Sequence, residues 1–282
     1  GVGLIGGSVA LALKKAGNCP QIVGVGRTKD SLKAALNLGV IDIATSNIAD
    51  ALKDADVVLI ATPVAQTPSI LASIKPYLSA NTIITDAGST KGDVLRCAED
   101  ILGTQFSQFI GGHPIAGAEK SGVTAATADL YNNKNAVLTP TANTSKQAIE
   151  TVTQIWKTCG AKVSEMSAET HDSIFAAVSH LPHLLAFALV DDIAARPNAQ
   201  QLFSFAASGF RDFTRIAGSH PEMWRDISLA NKDALLNELT AYQAEISSLK
   251  TMLQNEDGTG LQALFERASV ARNAWAQDKK LD

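Results

Sequence analysis

Three glycines spaced Gly1-x-Gly3-x-x-Gly6, with an amphipathic stretch directly behind them, constrain this chain more than any other feature. At that spacing a β-strand can turn sharply into a helix, and bare backbone can approach a phosphate where a Cβ would block it. The helix N-terminus then meets the phosphate with free N–H groups and a positive dipole end. A lone loop of this kind has low specificity, because any strand–helix turn can be glycine-rich. The pattern that follows supplies the context. Apolar runs at 22–25, 57–61, 82–85, 109–111, 136–139 and 161–163 alternate with helical patterns such as 8–16 and 31–38. The runs are continuous rather than alternating, as parallel strands covered on both faces should be. This rhythm predicts a doubly wound, Rossmann-type α/β domain whose first loop holds a dinucleotide. Loops of this type follow a strand, so a short strand is expected ahead of Gly1.

The length of 282 residues suits two domains. From about Ser167 the strand pattern stops, and the boundaries expected are 1–166 for the dinucleotide domain and 167–282 for an all-helical domain. There Leu235, Leu239, Tyr242, Ile246, Leu249 and Leu253 form a narrow apolar seam. After the break at Asp257-Gly258-Thr259-Gly260 it resumes through Leu261, Leu264, Ala268, Ala271 and Trp275. A seam on a domain too thin to bury it predicts a homodimer. Lys and Arg total 24 against 28 Asp and Glu, so there is no basic field for nucleic acid. Cys19, Cys97 and Cys159 are too few and too scattered for a disulfide framework or zinc ribbon. No apolar run approaches the ~18 residues of a membrane span. A cytoplasmic protein without a membrane partner is expected.

The second strand speaks to cofactor choice. An NAD enzyme usually carries Asp or Glu ~20 residues past the glycine loop, to hold the ribose 2′-hydroxyl. Here that place is Gly26, followed by Arg27 and Thr28. No carboxylate repels a 2′-phosphate, and a guanidinium with a neighbouring hydroxyl can bind one, which points to NADP. The bland alternative is a solvated loop arginine.

Reactive side chains fall in three places. His113 lies in Gly111-Gly112-His113-Pro114-Ile115-Ala116-Gly117, just past a strand end, where small neighbours admit a ligand and an ordinary imidazole suits a general base. His180 and His183 flank Leu181-Pro182, but no third ligand at a recognised spacing makes them a metal site, and none is expected. Arg211 and Arg215 stand four apart, on one face if helical, and suggest an anionic, carboxylate-bearing small molecule. Arg225 beside Asp226 reads instead as a surface ion pair of little energetic weight.

Taken together, residues 1–8 (GVGLIGGS), 86–92 (DAGSTKG), 111–122 (GGHPIAGAEKSG), 179–183 (SHLPH), 209–217 (GFRDFTRIA) and 223–227 (MWRDI) resemble the prephenate dehydrogenases. That family includes the arogenate and cyclohexadienyl dehydrogenases of tyrosine biosynthesis. The resemblance implies oxidative decarboxylation of a cyclohexadienol, with hydride passing to the cofactor and carbon dioxide leaving as the ring aromatises. On it, His113 takes the 4-hydroxyl proton, Ser89 sits beside that histidine and the nicotinamide, and Arg215 holds the ring carboxylate. His180, His183 and Arg211 line the substrate pocket. Gly1, Gly3, Leu4, Ile5, Gly6, Arg27 and Thr28 bind the cofactor, and Thr62, Pro63 and Val64 form the loop beneath it. Many members carry the acid that this chain replaces with Gly26. Prephenate and arogenate both remain open as substrates, with His183 favouring the keto acid. Two other readings compete: a β-hydroxyacid dehydrogenase or imine reductase, which would carry a lysine or aspartate where His180 and His183 stand, and a non-enzymatic NADP sensor, which would have no need of His113, Ser89 and Arg215 together.

Overall fold

The computed structural model describes residues 1–17, 21–26, 28–118 and 120–278. Its strands are β1 Val23–Val25, β2 Ile43–Thr45, β3 Val57–Ile60, β4 Ile83–Asp86, β5 Phe109–Pro114, β6 Asn135–Thr139 and β7 Lys162–Glu165. Helices α1 Leu4–Lys15, α2 Lys29–Asn37, α3 Ile48–Leu52, α4 Thr67–Ile74, α5 Gly92–Leu102 and α6 Lys146–Thr158 alternate with them. Seven more follow: α7 Ala168–Phe175, α8 Leu181–Ala194, α9 Ala199–Ser204, α10 Ser208–Thr214, α11 Pro221–Ala230, α12 Lys232–Gln254 and α13 Gly258–Asp278. Residues 1–232 form one compact unit and 233–282 a second. The strands end at Glu165, so helices α7–α11 share a unit with the sheets.

Strands β3 to β7 pair in chain order as a five-stranded sheet, and β1 pairs with β2 in a separate parallel pair. The central strands are buried on both faces because neighbouring residues point opposite ways. On β4, Ile83 enters a core with Val9, Val152 and Trp156, while Ile84 enters another with Leu71, Val94 and Leu102. On β5, Ile110 and Phe109 divide between the same two cores. Helices α1 and α6 therefore cover one face and α4 and α5 the other, as a doubly wound sheet requires.

Three sequence expectations change. Strand β6 runs antiparallel to β5. Among the described residues, the 115–134 connection holds only short turns and no crossover helix, so the chain doubles back. Strand β2 has only three residues and an exposed first position, too short to register as an apolar run. Finally, β5 continues through His113 and Pro114, which the sequence placed in a loop after the strand. The ladder explains this: Gly112 pairs with Leu138, His113 with Val137 and Pro114 with Ala136.

One helical run, Ala168–Ala194, has the length and apolar composition to cross a membrane. The sequence expectation missed it because His171, Asp172, His180 and His183 interrupt the apolar stretches. His171, Asp172 and His180 are buried within the protein. In the second unit, Tyr242, Ile246, Leu253 and Trp275 of the predicted seam are exposed while Leu235 is buried, so much of the seam is uncovered within one chain.

Gly112 is where the sheet tolerates no side chain. A Cβ there would stand 2.7 Å from the Asp86 carbonyl oxygen and 3.2 Å from Thr85 Oγ1. The nearer atom belongs to backbone of a paired strand and cannot swing away. Gly112→Ala should cost about 1–3 kcal/mol, the usual range for overpacking. Denaturant unfolding should show a lower midpoint at constant m-value; an unmoved midpoint would mean that the strands separate there at no cost.

Candidate active site

The glycine loop is shaped by two different constraints. A Cβ on Gly6 would lie 2.2 Å from the Gly1 carbonyl oxygen, and one on Gly1 would lie 2.5 Å from the Ala61 carbonyl oxygen. These two glycines are needed for packing. A Cβ on Gly3 would meet nothing within 4 Å, so the N-terminus of α1 faces open space. Gly3 caps that helix without a side-chain hydrogen bond, and the first turn, with Leu4 and Ile5, holds no acid. Free N–H groups beside bare backbone form an anion cradle. Ile5 is fixed through its carbonyl oxygen, which accepts from the Tyr131 hydroxyl at 2.7 Å.

Around this cradle the remaining predicted cofactor residues divide. Arg27 lies outside the described residues. Thr28 is exposed at the start of α2, with its hydroxyl 2.6 Å from that of Ser31. Thr62 Oγ1 is buried without a hydrogen-bond partner among the described residues, an orphan that a ligand could satisfy. Pro63 is exposed. Val64 turns inward and packs with Trp224 and Ile227. The open Gly3 cradle and the orphaned Thr62 hydroxyl fit a dinucleotide.

The 86–92 segment carries the most buried charge in the site. Pairing of β4 with β5 ends at Thr85 and Ile110, so past that point the β5 backbone loses its neighbour on that side. Asp86 and Lys91 side chains take the neighbour's place. Gly112 donates its N–H to Asp86 Oδ1 at 3.0 Å, and the Gly112 carbonyl accepts from Lys91 Nζ at 2.8 Å. Lys91 Nζ also pairs with Asp86 Oδ2, which takes the Gly88 N–H at 2.8 Å as well. Both side chains are almost completely buried. Ser89 is half-buried on the same loop.

One residue beyond this clamp stands His113, half-buried at the end of β5. Its Nδ1 lies 2.8 Å from His171 Nε2. His171 Nδ1 lies 2.8 Å from Asp172 Oδ1. Asp172 accepts from the Lys91 N–H at 2.9 Å and the Gly92 N–H at 2.8 Å, the N-cap and first amides of α5. Phe175 packs edge-on against His113, with ring centroids 4.8 Å apart. No hydrogen bond among the described residues engages His113 Nε2.

Residues Ala176–His180 form a π-turn inside the long helix, a distortion found often at functional sites. It precedes Pro182, which stands in the first turn of α8. His180 is 1% exposed, and its Nδ1 lies 3.1 Å from Asn231 Nδ2, which also donates to the Asp172 carbonyl at 2.8 Å. His183 directs Nδ1 to the Ser179 carbonyl at 2.8 Å and stacks on Trp224 at 3.6 Å between centroids. Arg211 is exposed on α10 with Asp212 beside it at 3.5 Å. Helix α10 ends at Thr214, so Arg215 begins a 3₁₀ turn instead of sharing an α-helical face with Arg211. Arg215 lies near enough to His183 to depress its basicity.

Burial sets the protonation states. Enclosure pushes His113 well below the usual imidazole range, with His171, Lys91 and His180 adding repulsion. Burial also lowers His171, against the pull of Asp172. For His180 it brings the pKa down to about 4. Burial lowers His183, partly offset by its bond to Ser179. Desolvation works to raise Asp172, but hydrogen bonds from His171, Gly92 and Lys91 outweigh it and hold the carboxyl low. All four rings are therefore neutral at neutral pH.

His171, Asp172, Asn231, Asp86 and Lys91 carry much of this geometry, and the sequence reading assigned none of them. The last two lie inside a segment already singled out, and an acid and a lysine five apart around a glycine could have been paired. His171 and Asp172 are 58 and 59 residues from His113, and no local spacing reveals them.

A doubly wound sheet, a glycine loop opening onto a helix and a helical C-terminal half define a nucleotide-binding protein of Rossmann type. Residues 9–165 match the prephenate dehydrogenase nucleotide-binding domain, and residues 167–267 match the prephenate dehydrogenase dimerization domain. The chain belongs to the prephenate dehydrogenase family. Prephenate dehydrogenase of Bacillus subtilis is 42% identical over 275 residues, which cover 97% of this chain and 74% of that protein. Cyclohexadienyl dehydrogenase of Zymomonas mobilis is 36% identical over 284 residues, 99% of this chain and 95% of that one. A crystal structure of prephenate dehydrogenase from Aquifex aeolicus, in complex with hydroxyphenyl propionate and NAD+, superposes with a TM-score of 0.90. It is 39% identical, covering 96% of this chain and 95% of that one.

Buried neutral histidines make the fold acid-sensitive. Each has a folded-state pKa below its unfolded value of 6.5. Below pH 6.5 the unfolded chain therefore binds protons that the folded chain refuses, and stability falls with pH until the folded groups titrate. For His180 that window runs from 6.5 down to about 4. The Tm should be flat from pH 8 to 7 and fall steadily between 6.5 and 4, before most carboxylates protonate. A Tm that stays level across that window would rule out the buried neutral rings.

Proposed function

We propose that the protein catalyses oxidative decarboxylation of prephenate, arogenate or both, giving 4-hydroxyphenylpyruvate or tyrosine, with NADP as the preferred oxidant. The observation that carries this reading is His113, a neutral imidazole held at the end of β5 with Nδ1 engaged and no hydrogen bond to Nε2. The bound nicotinamide supplies the hydride acceptor, and every other part of the reaction falls to the chain. His113 takes the proton of the ring 4-hydroxyl as the carbon that bears it gives up its hydride. That leaves a dienone. The C–CO₂ bond at the opposite ring carbon then breaks, and carbon dioxide leaves. The electron pair of that bond enters the ring as the carbonyl pair moves to oxygen, and the resulting phenolate takes back the proton held by His113. Arg215 pairs with the ring carboxylate in a fork too exposed to hold it against departure. Ser89 helps place the hydroxyl. His180, His183 and Arg211 shape the pocket for the side chain of the substrate, with Trp224 supporting the His183 ring. Gly1, Gly3, Leu4, Ile5 and Gly6 would hold the pyrophosphate, and the orphaned Thr62 hydroxyl would hold a polar group of the cofactor.

The match to a dimerization domain and the uncovered apolar seam of α12 and α13 support a homodimer. A cytoplasmic biosynthetic enzyme acting on a small molecule, without nucleic acid or membrane as partner, agrees with the composition and with the relatives.

Two residues separate chemistry from binding. His113→Asn should lower kcat roughly 10²–10⁴-fold, the weight of general acid–base catalysis, while KM changes little. Arg215→Ala should do the reverse and raise KM strongly, with Arg215→Lys restoring only part, since a point charge cannot replace the fork. A near-normal kcat in the first variant removes His113 from the mechanism, and an unchanged KM in the second places the carboxylate elsewhere.

Cofactor choice rests on Gly26, which has no side chain to hold a ribose hydroxyl, and on Arg27 with Thr28, which can hold a 2′-phosphate. The Aquifex aeolicus relative was solved with NAD+, so the test is kcat/KM for prephenate and arogenate, each with NAD and NADP. The wild type should favour NADP. A variant with Gly26→Asp and Arg27→Ser should shift toward NAD, provided Leu32 yields slightly, since a Cβ on Gly26 lies 3.1 Å from Leu32 Cδ2. A wild type that prefers NAD overturns the assignment.

A further inference from the structure

We propose that His171 and Asp172 are positioning residues that fix the tautomer of His113, holding its proton on Nδ1 so that Nε2 stays bare. The assignment rests on reading His113 as the proton acceptor, and it follows from counting donors and acceptors along one line. Asp172 Oδ1 accepts from the Lys91 amide and Oδ2 from the Gly92 amide, at 2.9 and 2.8 Å. Both donors are backbone groups at the N-terminus of α5, Lys91 as its N-cap, that cannot turn away, so they keep Asp172 as an acceptor on both oxygens. The 2.8 Å contact between Asp172 Oδ1 and His171 Nδ1 then requires the hydrogen on the imidazole.

A neutral ring with hydrogen on Nδ1 has none on Nε2. His171 is fully buried, and that burial keeps it neutral. Its Nε2 can therefore only accept, and the 2.8 Å contact to His113 Nδ1 requires the hydrogen on His113. The alternative tautomer of His113 would set two nitrogen lone pairs face to face at that distance. With Nδ1 occupied, the neutral His113 ring carries its one lone pair on Nε2. A histidine without this line would divide its population between tautomers, and only one can take a proton through Nε2.

The same line supports the charged state. When His113 gains a proton, its Nδ1–H becomes a charge-assisted donor to His171, and the Asp172 carboxylate stands one ring away. Phe175 packs on both rings, at 4.8 Å from His113 and 4.5 Å from His171, and limits their rotation. The amides that set the direction of the whole line belong to the turn of Lys91, whose side chain holds the Gly112 backbone next to His113.

The test reads the tautomer directly. The full-length protein labelled with nitrogen-15 histidine is observed by NMR at pH 7.5, where the two ring nitrogens of each tautomer resonate far apart, and His113 is assigned by its loss in His113→Asn. Wild-type His113 should show a protonated Nδ1 and an unprotonated Nε2. His171→Leu should average the two nitrogens toward a mixture and lower kcat about 10²-fold with KM within about threefold, the pattern of a lost orienting group. His171→Gln keeps a carbonyl that can accept from His113 Nδ1. It should restore the tautomer and recover about tenfold of the lost rate. The wild-type spectrum stands alone should the leucine variant fail to fold. A wild-type His113 protonated on Nε2, or a leucine variant with unchanged tautomer and kcat, overturns the proposal. If the tautomer shifts as described but no cyclohexadienyl acid is turned over, the positioning role holds and the reading of the reaction fails.

Discussion

The ion pair of Asp86 and Lys91 is the interaction on which the rest of the site depends. It stands where β4 has run out and β5 continues, and it supplies to Gly112 the acceptor and donor that a neighbouring strand would have supplied. An unpaired backbone N–H or C=O at that depth costs as much as a lost hydrogen bond. A charged pair is a costly way to avoid that loss, since both groups must leave water. Its cost is offset because every polar contact is used: Asp86 also caps the turn through Gly88, and Lys91 lends its own amide to Asp172. Five residues thus tie two strands, a turn and the first helix of the C-terminal half to one point.

From that point the geometry of the histidines follows. His113 inherits its backbone position from the β5–β6 ladder and its ring direction from His171 and Phe175. His180 is anchored through Asn231 to the Asp172 carbonyl, so a second imidazole is registered to the same aspartate. The π-turn at Ala176–His180 inserts an extra residue between these groups, and an unbroken α-helix would rotate His180 and His183 relative to His171. Burial then sets all four rings neutral, which makes the fold vulnerable to acid. The proton acceptance proposed for His113 and the acid lability would be two consequences of the same desolvation.

Much of this chain is legible in its sequence. The glycine spacing, the βα rhythm, the end of the strands near Ser167 and the helix break at 257–260 are local patterns, set by the reach of a few residues, and each has its counterpart in the structure. His113, His180, His183 and Arg215 also announced themselves, as reactive groups among small or charged neighbours. By itself the sequence determined the class of fold, the helical character of the second half and the family resemblance. Tertiary structure alone decided how far β5 extends, the antiparallel turn of β6, the end of α10 before Arg215, and the union of His171 and Asp172 with a histidine more than fifty residues away. The physical reason is one of range. Periodicity and turn chemistry act within a few residues, whereas the partner of a buried donor is whichever acceptor the packed chain brings to it, and no local pattern carries that information.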